Sequence, residues 1–304
     1  MSSHPPPAPD PYTINCLTYD GTYIYAGTPK DASTGTGGTV YQINPTTMTI
    51  VASVIIAGNV SSLTYDGTYI YAGMTGTTAG TVIYKIDPAT MTTIGSITAS
   101  SQTGSCTLIT DLSYVYCYDA ISTLHKINTD NMSVIASVSL VYSGASATGQ
   151  CLTYDGTYIY AGGNGQDSGA SWDQLFKVNP SSMSIVTQIQ YNVDASEQIR
   201  SLTFDGTYVY AIDFQNSTGY PQIYAIQTSD LSAVNGSGQY STVIVSPTPQ
   251  SLYFYDGYLY TALQGWALVQ WDPSTLNTNI ISSVTGQVSI PLSLKYGVSW
   301  AFPS

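Results

Sequence analysis

LTYDGTYIYAG runs from Leu17 to Gly27, and the same letters return from Leu63 to Gly73 and from Leu152 to Gly162. LTFDGTYVYAI from Leu202 is a close copy, while LITDLSYVYCY from Leu108 and LYFYDGYLYTA from Leu252 are degenerate ones. The copies start 46, 45, 44, 50 and 50 residues apart. A second motif follows each: NPTTM at Asn44, DPATM at Asp87, NTDNM at Asn128, NPSSM at Asn179, QTSDL at Gln227 and DPSTL at Asp272. Short apolar, aromatic or β-branched runs flank every one of these turns, which is strand composition, and no window carries a helical period. Asp-Gly is a strong hairpin signal, because a type I′ turn needs φ > 0 at both central positions. Each repeat therefore reads as four short strands, A to D.

Four antiparallel strands repeated every ~40–50 residues predict an all-β fold, a β-propeller of four-stranded blades. Six full repeats are followed by a truncated seventh, PLSLKYGVSWAF from Pro291, which offers strands A and B only. Seven blades are favoured and six are the alternative. Residues 1–11 form a Pro-rich arm with polyproline II character, and residues 12–304 a single propeller domain. The arm could clasp a neighbouring subunit, act as a linker or remain a tail.

The D-G-x-Y-x-Y-x-A hairpin and the I-D/N-P-x-T turn resemble the YVTN-type propellers and, more loosely, the NHL-type ones. The resemblance covers nearly the whole chain. It implies a fold used by archaeal and bacterial surface proteins. Propellers of similar shape include lyases, dehydrogenases, lectins and scaffolds, so fold alone does not give function.

Charge narrows the classes. The 304 residues hold 6 Lys+Arg against 18 Asp+Glu, a net charge of -12, yet only 8% are charged, against a usual ~25%. Polarity comes from hydroxyls and amides, with 27 Tyr among them. Six cations cannot supply a phosphate-neutralising footprint, which argues against nucleic acid. No apolar run approaches the ~18 residues of a membrane span. MSSHPPPAPDP has neither the charged n-region nor the apolar h-region of a secretory signal.

The A–B and C–D turns share one face and are stereotyped. Asp20, Asp66, Asp111, Asp155, Asp205 and Asp256 recur in every copy, which marks them as turn residues. Variation lies in the B–C and D–A loops, on the opposite face, where a rigid scaffold usually binds. The candidate partner-binding residues there are Lys30, Asp31, Asp167, Trp172, Asp173, Glu197, Arg200, Asp213, Phe214, Tyr220 and Trp266. Aromatics beside carboxylates and amides suit a protein or a sugar; tolerated polar loops are the bland alternative.

Catalytic and metal readings are thin. His4 lies in the arm, and His125 fills a slot held elsewhere by Tyr41, Tyr84, Phe176 and Tyr224, as a packing substitute. No Ser-His-Asp set is visible in the sequence, metal-ligand spacing is absent, and no cofactor is expected. Lys85, Lys126 and Lys177 share one strand-C position with Gln42 and Gln270, which reads as a solvated position. Cys16 and Cys151 read as small packed residues. A two-residue turn at Asp111-Leu112 would set Cys106 opposite Cys117, which could permit a disulfide.

The expectation is a non-enzymatic surface propeller for attachment, or a component of a virion, filament or cell envelope, partnered by protein subunits or surface glycans. It would sit outside the cell or on a virion, with a cytoplasmic place as the alternative. A glycan-binding propeller and a propeller lyase or hydrolase with an axial site are the competing readings.

Overall fold

The computed structural model describes residues 14–30, 37–75, 80–104, 106–141, 146–167, 170–191, 199–213, 222–232, 249–263, 267–271, 273 and 280–285. Each repeat forms its own antiparallel sheet, with its strands in chain order. The first is β1 (Cys16–Tyr19), β2 (Ile24–Gly27), β3 (Gly38–Asn44) and β4 (Thr49–Ile56), and the second β5 (Asn59–Tyr65), β6 (Ile70–Thr75), β7 (Thr81–Asp87) and β8 (Thr92–Ser100). The third is β9 (Cys106–Thr110), β10 (Tyr114–Asp119), β11 (Thr123–Asn128) and β12 (Ser133–Ser139), and the fourth β13 (Ser146–Tyr154), β14 (Ile159–Asp167), β15 (Ala170–Asn179) and β16 (Ser184–Tyr191). The fifth has three described strands, β17 (Ile199–Phe204), β18 (Tyr208–Asp213) and β19 (Gln222–Gln227), and the sixth is β20 (Pro249–Tyr255), β21 (Tyr258–Leu263), β22 (Ala267–Trp271) and β23 (Ile280–Thr285).

The first strands pack side by side in sequence: β1 on β5, β5 on β9, β9 on β13, β13 on β17 and β17 on β20. They are also stitched together. Asn15 Nδ2 donates to Val60 O (3.0 Å), Ser61 Oγ to Cys106 O (3.0 Å), Leu108 N to Ser62 Oγ (2.9 Å) and Leu252 N to Ser201 Oγ (3.0 Å). Strand A is thus innermost and strand D outermost, as in a β-propeller. Apolar cores fill the spaces between consecutive blades. Tyr25, Tyr71, Tyr116 and Tyr160 are fully buried there, each such ring contributing about 1.5–3 kcal/mol by area.

Small residues make the inner strands fit. Cys16 faces Gly27 and Cys151 faces Gly162. A Cβ on Gly162 would lie 2.8 Å from Cys151 Sγ and 2.9 Å from Ile199. The Cys-Gly pairing therefore lets the next blade approach, beyond the simple packing that the sequence suggested.

The A–B turn is not the expected type I′ pair. Tyr19 pairs with Ile24, and Asp20 N donates to Tyr23 O at 3.2 Å, so four residues make the turn. Only the glycine is left-handed, at φ 95, 96, 91 and 99 for Gly21, Gly67, Gly156 and Gly206. Among the described A–B turns the two-residue form occurs once, at Asp256 (φ 48) and Gly257 (φ 82). Leu112 takes the glycine position of the third blade at φ 71. The same four-residue turn sets the register there, so that Cys117 pairs with Leu108 and Cys106 with Asp119, not with each other. Six sheets are described; the truncated seventh copy and residues 1–13 lie outside the described residues.

Candidate functional site

The turn face is a ring of saturated carboxylates. In the first blade Asp20 Oδ1 accepts from Thr22 N and Tyr23 N, both at 2.7 Å, while Oδ2 accepts from Tyr25 Oη at 2.7 Å. Asp66, Asp111, Asp155 and Asp205 repeat this with Tyr71, Tyr116, Tyr160 and Tyr210 at 2.7–2.9 Å. An aspartate is needed because only a carboxylate offers one oxygen to the turn amides and the other to a buried phenol. Burial, and then the hydrogen bond to Asp, push these five tyrosine hydroxyls well above their usual range.

Beside this ring lies a feature that the sequence reading misjudged. The strand-C lysines are not solvated. Lys126 and Lys177 are buried and Lys85 is half-buried. Each ammonium donates to a backbone carbonyl in the C–D turn of the next blade: Lys85 to Thr129 O (2.7 Å), Lys126 to Pro180 O (2.8 Å) and Lys177 to Thr228 O (2.5 Å). Each also sits 3.9–4.1 Å from the centre of a tyrosine ring, Tyr69, Tyr114 or Tyr158, a cation–π geometry. Gln42 does the same from the first blade, bonding Tyr25 Oη at 2.9 Å and Pro88 O at 3.1 Å. Gln42 and the lysines staple blade to blade. Their common slot was visible in the sequence, but its burial was not.

The C–D turns receive the staples with a left-handed residue. Met91, Met132, Met183 and Leu231 have φ 48, 51, 50 and 64. Met91, Met183 and Leu231 are buried in the space shared with the preceding blade, so packing outweighs the usual left-handed preference for glycine. Met48, the first-blade equivalent, is 60% exposed.

His125 is a polar brace instead of a packing substitute. Its Nε2 lies 3.2 Å from Asp119 Oδ2 and its Nδ1 2.8 Å from Ser137 Oγ. Asp119 also accepts from Ile121 N (3.1 Å) and Thr123 N (2.8 Å), closing the tight B–C turn. Burial raises the Asp119 carboxyl, but hydrogen bonds from His125, Thr123 N and Ser100 outweigh it and leave it below its usual value. A Ser-His-Asp chain thus exists in space where none was visible in sequence. Cys106 and Cys117 are buried free thiols with sulfurs 3.2 Å apart; the hydrogen bond between them, then burial, push the Cys117 thiol upward.

On the variable face, Lys30 is exposed, and its backbone N–H donates to Asn59 Oδ1 at 2.7 Å. Arg200 is half-buried at the bulge where β17 shifts register between Ile199 and Ser201. Asp173 departs from expectation: it is buried on β15, paired with Asn164 and Tyr191. The reason is that the fourth blade extends its hairpin to Asp167 and Ala170, turning most of the expected loop into strand. Asp167, Trp172 and Asp213 lie on strands whose side chains there are outside the described residues, as are Asp31, Glu197, Phe214, Tyr220 and Trp266. Among the described residues no three His, Cys, Asp or Glu side chains gather as a metal site.

No known family's sequence profile matches the chain, and no curated protein does. Solved structures match in shape. One is a crystal structure of the mitotic checkpoint complex, at 13% identity over 87% of this chain and 76% of that one, TM-score 0.66. Another is the β-propeller domain of Cps50 (Swd1) from Myceliophteria thermophila, at 12% identity over 90% and 87%, TM-score 0.65. The WD40 repeats of RRP9 match at 10% identity over 91% and 82%, TM-score 0.62. These likenesses establish the β-propeller fold.

Proposed function

We propose that this chain is a non-enzymatic propeller that binds protein partners, as a component of an outer assembly such as a virion, filament or cell envelope. The observation that carries the reading is the use of its polar groups. The repeated carboxylates, phenols and lysines close turns or staple blades, so they build a frame and offer no open reactive centre. The YVTN-like wording of the hairpins and turns supports a surface setting. So does a composition with few titratable groups, which keeps the surface nearly constant as pH changes. Partners would meet the variable face, through Lys30, Arg200, Trp172 on the extended fourth-blade hairpin and the aromatics Phe214, Tyr220 and Trp266. Solubility and circular dichroism from about pH 2 to about pH 8 test the exterior setting. The folded, soluble state is expected throughout; precipitation or unfolding near pH 3 contradicts it.

A further inference from the structure

We infer that the outer strand of the first blade, β4, is an edge that pairs antiparallel with β4 of a second copy of this chain. The outermost strands β4, β8, β12 and β16 each pair with a single neighbour among the described residues. None contains Asp, Glu, Lys, Arg or Pro. Edge strands are ordinarily protected by such residues or by a bulge that turns the edge away, because an unpaired row of N–H and C=O groups templates a further strand; in β4 the bulge leaves residues 52–56 in regular register. Here each edge instead shows a β-branched residue at the same place: Val51, Ile94, Ile135 and Val186, each about half exposed. In each case it is the extra residue of a bulge, where strand C shifts register, as between Gln42 and Ile43. Past the bulge β4, β12 and β16 run without a further register shift, while the pairing of β8 shifts again between Thr81 and Val82.

β4 is the strongest of these edges. Its sequence, TIVASVII, combines high β-propensity with no charge, Pro or Gly, the composition of self-pairing segments. Met48 and Ile50 are each 60% exposed and Ile55 61%, so apolar surface continues along the whole strand. No charged residue occurs from Ala32 to Tyr65.

Charge selects the occupant and its direction. A protein of net charge -12 repels its own copies except where charge is absent. The turn carboxylates stand at the end of the blade where β4 begins. Antiparallel pairing puts the two turn faces at opposite ends of the joined strands, roughly 25 Å apart for eight residues, beyond two Debye lengths at physiological salt. Parallel pairing would bring them together. The outward positions Val51, Ser53 and Ile55 offer β-branched and hydroxyl side chains that pair well with their own kind. A basic partner finds no carboxylate on this edge.

The mass of the full chain, measured by light scattering from roughly μM to mM, tests this. It is expected to rise from 32.3 kDa towards twofold. Val51→Lys/Ile55→Lys is expected to remain a monomer with unchanged circular dichroism. In a second variant, Ser53→Cys, mild oxidation is expected to give a cross-linked dimer. A wild-type chain that stays monomeric throughout overturns the inference. So does a charged variant that associates as well as wild type, which would place the contact on the Met48 side or in the loops. The inference extends the partner-binding reading to a second surface. Lys30→Ala/Arg200→Ala should abolish partner binding without changing this mass, so the two can fail separately.

Discussion

Lys126 reads in the sequence as one more polar residue on a strand. In the fold it donates to the next blade's Pro180 carbonyl and lies over Tyr114. Lys126→Met leaves that carbonyl without its partner and removes the cation–π contact. A loss of about 1–3 kcal/mol is expected in urea unfolding. Lys126→Gln should lose less, because Gln42 performs the same task two blades earlier in the ring. Equal losses for the two variants would refute the staple. The tyrosines make a second residue-scale prediction. Tyr25, Tyr71, Tyr116, Tyr160 and Tyr210 have raised hydroxyls through burial and then their Asp partners. A raised folded value means that the folded state holds protons the unfolded state releases near pH 10. Their stabilisation is therefore complete below about pH 10 and is lost as pH climbs towards the folded values. Tyrosinate absorbance should show a class of tyrosines released only on alkaline unfolding. A single class ionising in a folded protein would contradict the buried Asp–Tyr pairs.

At the scale of the element, the hairpins were legible and their detail was not. The repeat located the A and B strands of the six described sheets, since alternation and the Asp-Gly turn are local signals. The four-residue turn was missed because the Asp side chain does work that a type I′ backbone would otherwise do: it accepts the turn amides itself. Misreading the turn also misplaced Cys106 and Cys117. Leu112 shows the cost of departing from the pattern, being left-handed at φ 71 and exposed. Leu112→Gly should raise stability by about 0.5–1 kcal/mol, net of glycine's greater unfolded entropy; a destabilised variant would contradict that strain. His125 was misread because its partners, Asp119 and Ser137, come from two other strands. Asp119→Asn should cost about 1–3 kcal/mol at neutral pH. The Asp119 carboxyl is lowered on folding, so its stabilisation is present above about pH 4 and is lost as pH falls through the folded value. The Asn variant should therefore lose less than wild type on going from pH 6 to pH 3, as read by thermal unfolding.

Across the whole molecule, stability passes from blade to blade. Staples leave the first four blades through Gln42, Lys85, Lys126 and Lys177. The fifth has Ala225 in that slot, paired with Tyr210. The junction between the fifth and sixth blades keeps its inner stitches at Ser201 and Thr203 but has no long polar side chain at that position. Hydrogen exchange should show β19 opening more readily than β7, β11 and β15. Uniform protection across these strands would deny the staples a role. Architecture was readable in the sequence because repetition announces a propeller. The proposed interaction surface was less so, because the loops that would carry it do not repeat, and what does repeat turned out to be frame. Part of the acidic balance is explained in the same way: Asp20, Asp66, Asp111, Asp155 and Asp205 are engaged with turn amides and phenols. The central claim is that the turn face is structural and that partners meet the variable face or the outer rim. An electron cryo-microscopy reconstruction of the chain bound in its native assembly tests it most directly. The account predicts density from a partner against Lys30, Arg200 and their neighbouring loops, or along β4. Partner density seated on Asp20, Asp66, Asp155 and Asp205, with the opposite face bare, would contradict it.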